Sequence, residues 1–191
     1  MCLGMVKLLR EANRIITLWR SHGPNTTKLD LEKVFQELVL PSSNGDKCRI
    51  IYEEFESFEG LMARKIGSQE WRIGVSTNIG YEPRRNFTFA HEIGHFIGHR
   101  YKQDVFECTF DNLNNFQIAG FEQEANEFAS HLLMPADILR EFDKEREFGH
   151  AAVSELASMF GVSRAAVAYR WIKLTNRHIG FASSRDGHFN Q

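Results

Sequence analysis

Cysteine is scarce in this chain: three in 191 residues, Cys2, Cys48 and Cys108. They are odd in number, widely separated, and none forms a Cys-x-x-Cys pair. That pattern excludes a disulfide framework and suggests no cysteine zinc site. It fits a reducing compartment such as the cytosol. Long hydrophobic runs are also lacking, so no segment is expected to span a membrane. A signal-peptide pattern is missing because Lys7, Arg10, Glu11, Asn13 and Arg14 interrupt the apolar residues at helical spacing. The expected location is therefore cytoplasmic, with an intracellular substrate. Charge of one sign does not dominate. The formal net charge is -2, so no global field draws the chain to nucleic acid or an anionic membrane. Repeats and low-complexity tracts are absent. The 42% hydrophobic content is ordinary for a globular protein, and the length suits one substantial domain with, at most, a small appendage.

What the chain does have is periodicity. Residues 3–20 carry Leu8, Leu9, Ala12, Ile15, Ile16 and Trp19 at helical spacing, and Gly23-Pro24-Asn25 stops that helix. A second helix is expected from about Asp30 to Leu38. Strand-like runs follow at Arg49–Phe55, Gly60–Ile66 and Trp71–Thr77, the last two joined by a turn at Gly67-Ser68-Gln69. Glu82-Pro83-Arg84-Arg85 leads into a helix from about Asn86 to Tyr101. Residues 102–119 show no clear period. Helices are expected again at about Gly120–Met134 and Ala136–Phe148. Ser154–Leu174 reads as two helices split by Gly161-Val162-Ser163. The fold expected is α+β and mainly helical, with a small antiparallel sheet and a C-terminal helix-turn-helix-like segment. Residues 1–150 would form the core, and 151–191 a helix-turn-helix-like segment and tail packed on it.

The chemistry concentrates in His91-Glu92-Ile93-Gly94-His95. Residues four apart on a helix share a face, so two imidazoles would aim at one point. Glu92 sits about 100° around the helix, within reach of a water held there. Two nitrogen ligands and a carboxylate base are the parts of a zinc hydrolase. His95 and His99 form a second pair at the same spacing, but Phe96 follows His95 and cannot act as a base. Gly94 and Gly98 would let another element approach this helix closely.

A catalytic zinc needs a third protein ligand. Along Phe121–Met134 the residues Phe121, Ala125, Phe128, Ala129, Leu132 and Leu133 mark an apolar stripe. Glu122 falls inside it, where a carboxylate without compensation would be costly. Glu122 is thus the expected third ligand and Glu124 the alternate. Otherwise Glu124, like Glu127, belongs on a solvated face. Asn126 lies one turn after Glu122. It can either accept from the outer N–H of a ligating histidine or serve as a buried structural amide.

With Phe87-Thr88-Phe89-Ala90 before the His-Glu motif, and Glu122-Gln123-Glu124-Ala125-Asn126-Glu127-Phe128-Ala129 followed by Leu132-Leu133-Met134-Pro135, the chain resembles the ImmA/IrrE family of zinc metallopeptidases. The resemblance runs from about Leu29 to Leu174. It implies a gluzincin-like site in which Glu122, four residues before Asn126, binds zinc. His131 stands where family members often carry an acidic or other polar residue. The implied activity is selective cleavage of a regulatory protein, a small helix-turn-helix repressor of the XRE type or an antitoxin encoded nearby, as in mobile elements and toxin–antitoxin systems. Zinc (Zn2+) is the implied cofactor. For the oxyanion, Tyr81, Arg84, Arg85, His99 and His131 are candidates by residue type. The strand Trp71–Thr77 either lies along the cleft as a sheet edge or is an ordinary core strand.

Two rival readings remain. Ser154–Val167 looks like a helix-turn-helix, and Arg164, Arg170, Lys173, Arg177 and Arg185 give it a basic bias suited to phosphates. A DNA-binding regulator is therefore one alternative, although the resemblance favours a helix pair that only packs on the core. The other is a zinc-binding module without proteolytic activity.

Overall fold

The computed structural model of the chain describes residues 3–110, 113, 120–175, 184–185 and 188–189. Helix α1 (Leu3–His22) buries Leu8, Ala12, Ile15, Ile16 and Trp19, the expected stripe. Helix α2 (Leu31–Lys33) starts at Asp30, whose carboxylate accepts from the Lys33 N–H at 3.2 Å. It runs on as a π turn over Val34–Val39 and a 3-10 turn over Leu40–Ser42.

The sheet comprises β1 (Lys47–Glu53), β2 (Gly60–Arg64), β3 (Glu70–Ser76) and β4 (Val105–Cys108), in the order β1-β3-β2-β4. β2 is antiparallel to both β3 and β4, whereas β1 runs parallel to β3. The sheet is therefore mixed, not wholly antiparallel as expected. The β2–β3 hairpin turns through Gly67, at φ 73°, and inserts β3 between β1 and β2. Because β2 runs opposite to β1, β3 runs with β1. This also settles the place of Trp71–Thr77, which is flanked on both sides. The edges of the described sheet are β1 and β4. β4 lies in the stretch where the sequence showed no period. Its alternation is real but only four residues long: Val105 and Glu107 face out, Phe106 and Cys108 are buried.

Helix α3 (Glu82–Gly98) runs across the sheet. It begins one turn earlier than expected, because Pro83 suits a first helical turn, where its missing N–H has no partner to lose. Every residue from Thr88 to Phe96 is buried, so α3 is wrapped on all sides rather than amphipathic. Phe96 meets Trp71 of β3 edge-on at 6.4 Å and Phe35 at 5.2 Å. On the opposite side packs α4 (Phe121–Leu133). Gly94 marks the contact: a Cβ there would lie 3.0 Å from a Phe128 ring carbon and 3.2 Å from the Ala125 backbone. α1 covers α4 and the far end of α3.

Helices α5 (Ala136–Glu145), α6 (His150–Phe160) and α7 (Arg164–Thr175) complete the larger elements. Gly161 ends α6 in the left-handed region at φ 67°, and Ser163 Oγ accepts from Ala166 N–H at 3.1 Å to start α7. Both helices enter the common core. Trp171 packs edge-on to Phe142 and Phe148, at 5.6 and 5.2 Å, and donates its indole N–H to Asp143 at 2.6 Å. Arg170 is buried and donates to His131 Nδ1 at 2.8 Å. Lys173 pairs with Glu127, and Arg164 contacts His150. Of the other basic residues noted in the sequence, Arg177 lies outside the described residues and Arg185 sits in a short two-residue strand, β5 (Ser184–Arg185), paired with β6 (His188–Phe189). Among the described residues no helix is long and apolar enough to cross a membrane.

Candidate metal centre

His91 and His95 stand one turn apart on α3. Their ring centroids are 4.6 Å apart and their Nε2 atoms 2.9 Å apart. The first turn of α4 brings Glu122 to the same point: one oxygen lies 3.3 Å from His91 Nε2 and the other 3.2 Å from His95 Nε2. Glu124 is turned elsewhere. Its Oε2 sits 3.0 Å from His99 Nε2, so it is neither beside the His91–His95 pair nor on the solvated face expected of it. Glu127 does reach the surface side, where it meets Lys173. Asn126 Oδ1 is 2.9 Å from His91 Nδ1. An amide oxygen can only accept, so His91 Nδ1 carries the hydrogen in this contact. Of the two roles open to Asn126, this geometry matches the hydrogen bond to His91.

Glu92 lies beside the cluster and is fully buried. Neither of its carboxylate oxygens makes a nitrogen- or oxygen-donated hydrogen bond among the described residues, and its one polar neighbour there is the weak donor Cys108 Sγ. Room for it comes from Gly60 at the start of β2, where a Cβ would fall 2.2 Å from Glu92 Oε1. Burial pushes the Glu92 carboxyl well above the ordinary carboxylate range, the adjacent Cys108 thiol pulls the other way, and the charge of Glu122 adds to the rise. Burial, then the neighbouring His91, pushes His95 down to about 3, so its imidazole is neutral. Burial would raise Glu122, but the two imidazoles flanking it outweigh that and hold its carboxyl low.

Cys108 is the residue the sequence did not offer. It is buried on β4, pairs in register with Gly60, and its sulfur joins ligand atoms of His91, His95 and Glu122 that all lie within 4.8 Å of one another. Its thiol pKa is raised by burial first and then by Glu92. The only local signal for it was the four-residue alternation of β4.

These groups fit a divalent cation. Two imidazoles and a carboxylate converge, and one Glu122 oxygen is buried without a hydrogen bond. A buried carboxylate oxygen without a donor is costly unless a cation joins it. Nitrogen and carboxylate ligands with a thiol nearby suit zinc and its neighbours in the transition series.

Residues 46–171 match the family model of peptidase family M78, described as the IrrE N-terminal-like domain. The chain belongs to this family. The M78 match begins just before β1, takes in the whole four-stranded sheet, α3 and α4, and ends at Trp171 in α7. The chain is thereby a member of a peptidase family of the IrrE/ImmA type, as the sequence motifs implied. No curated protein matches it significantly. The oxyanion candidates fare unevenly within the M78 fold. Tyr81 is exposed. Arg84 donates to Glu59 at 2.6 Å and to the Phe110 carbonyl at 3.2 Å, and Arg85 donates to the Ile79 carbonyl at 3.1 Å. His131 lies between Asn13 and Arg170. His99 stands behind His95.

Proposed function

We propose that this M78 chain is a zinc-dependent endopeptidase that selectively cleaves a regulatory protein, a small helix-turn-helix repressor or antitoxin encoded nearby. The observation that carries the reading is Glu92, a buried carboxylate with no nitrogen or oxygen donor, set beside three converging metal-type ligands. His91, His95 and Glu122 would hold the ion. Zinc bound there would supply Lewis acidity toward a peptide carbonyl and an attacking water. Glu92 would take the proton of that water at a carboxylate oxygen and pass it to the leaving amine. Its raised pKa suits a group that must both accept and return a proton. Gly60 and the buried face of the sheet keep bulk water from its carboxylate. β4, an edge strand ending at Cys108 in the site, offers main-chain groups to which an extended substrate could add as a further strand.

The test is co-incubation of the protein and zinc with the helix-turn-helix protein encoded beside it. A metal-dependent cut, lost in Glu92→Gln while zinc is retained, is the expected result. Undiminished cleavage by that variant would sink the mechanism.

One observation favours a second reading. The Cys108 sulfur lies close enough to serve as a fourth ligand. A Cys-His-His-Glu set would be closed, as structural zinc sites are, and the protein would then be a zinc-binding module without cleavage. Cys108→Ala separates the two. An open site keeps its zinc affinity and its activity in that variant. A closed one loses affinity, and the wild type loaded with cobalt(II) shows thiolate charge transfer. A DNA-binding role draws less support, because Arg170 and Trp171 of α7 point into the core.

A further inference from the structure

We propose that the face of the sheet turned away from α3 is a dimerisation surface, and that its occupant is a second copy of this chain lying across it end for end. The metal centre plays no part in this.

Side chains alternate along a strand, so the register defines the face opposite the buried Trp71 and Ile73. β1 gives it Lys47, Arg49, Ile51 and Glu53. Their partners on β3 are Glu70, Arg72, Gly74 and Ser76. Leu61 and Ala63 of β2 continue the rows of Gly74 and Arg72, and Glu107 and Val105 of β4 complete them. α3 packs on the other face, and here Lys47, Arg49, Arg72, Val105 and Glu107 are all exposed.

The charges on this face are sorted by sign. At the end nearest the β2–β3 turn, Lys47, Arg49, Lys65 and Arg72 line a cavity of about 410 Å³. The one acid there, Glu70, lies 3.6 Å from Lys65. Arg49 and Arg72 are register partners on neighbouring strands. Like charges directly opposite one another are destabilising, and neither arginine, nor Lys47, has an ion pair among the described residues. At the other end Glu53 closes β1 and Glu54 and Glu56 follow, all exposed and equally without an ion pair among the described residues. An apolar band separates the two ends. Ile51, Gly74 and Leu61 share one row. Phe55 folds over that row, since a Cβ on Gly74 would lie 2.8 Å from its ring and 3.4 Å from Ile51. Phe58 packs on Phe55 with ring centroids 4.6 Å apart.

Such a face is complementary to itself, as a two-fold interface must be. A two-fold axis lying in the interface and crossing the strands at Ile51 sets each β1 antiparallel over its copy. Arg49 and Glu53 each lie two residues from that axis, about 7 Å. Arg49 therefore stands across from the second copy's Glu53, Arg72 approaches the same acid from the next strand, and band meets band. A nucleic acid or an acidic protein would match the basic end and be repelled by the acidic one. A second copy matches both at once. The face measures roughly 20 Å each way, which is small for a permanent dimer. Association is therefore reversible and, being steered by charge, weakens with salt.

Sedimentation velocity of the full-length protein, over a concentration series at low and high ionic strength, tests this. A monomer–dimer equilibrium that moves toward monomer at high salt is expected. The double reversals Arg49→Glu/Arg72→Glu and Glu53→Lys/Glu54→Lys should each weaken self-association by on the order of 100-fold, because like charges then face one another. Mixing the two variants should restore the dimer, since each reversed patch meets its opposite on the other chain. Two misfolded proteins would not rescue each other in this way. A wild type that stays monomeric throughout, a dimer that neither reversal weakens, or a mixture that associates no better than its parts would overturn the proposal. Salt-sensitive binding of an oligonucleotide by a monomeric wild type, lost in Arg49→Glu/Arg72→Glu, would overturn it by assigning the basic end to nucleic acid.

Discussion

The two sides of the site are built on opposite plans. On the α4 side Asn126 meets His91 and Glu124 meets His99, while Glu122 stands against both imidazoles with one oxygen left for an ion. On the sheet side stand a glycine, a thiol and Glu92, whose carboxylate has no nitrogen or oxygen donor. A group that positions others must be satisfied, since only then does it stay still. A group that moves protons must be left with unfilled capacity, and that is destabilising until the reaction uses it. The helix side is therefore expected to govern metal affinity and the sheet side to govern rate.

Removing the unsatisfied group should give the largest effect. Glu92→Gln should lower the cleavage rate by about 100- to 10,000-fold with zinc content unchanged. Gly60→Ala comes next. Its Cβ must displace the Glu92 carboxylate, and a shift of about 1 Å can cost on the order of 100-fold in rate. Zinc affinity should hold, so equal losses in both would blur the two sides into one. Asn126→Ala should do the reverse at smaller scale: zinc affinity falls by roughly 10- to 100-fold, and the rate at saturating zinc changes less. Titration with a chromogenic chelator reads the first quantity, and peptide turnover in excess zinc the second.

The helix side was also the legible side. His91 and His95 follow from helical spacing and Glu122 from its place in the apolar stripe of α4; of the sheet-side groups only Glu92, which α3 itself carries, was legible in the same way. Both signals are periodic and local. The helices themselves were placed to within a turn for the same reason. Glu124 was misplaced because an angle around a helix does not reveal what packs there: α1 and His99 cover it, and its side chain is only 13% exposed. Cys108 and Gly60 were invisible for a different reason. Their role depends on β4 pairing with β2 across more than forty residues of chain, and no local pattern encodes that register. The parallel β1–β3 pairing and the interior place of β3 escaped for the same cause.

The burial of α3 on every side also sets how the site keeps time. His91, Glu92 and His95 belong to a stretch in which nine consecutive residues are buried, and such a stretch opens only when the whole fold opens. Glu122 instead stands in the first turn of α4, and helix ends fray far more readily than their middles. An ion would therefore enter and leave by loosening of that one turn while the two imidazoles stay assembled. Its residence time would follow the local opening of a helix end, not the lifetime of the folded chain.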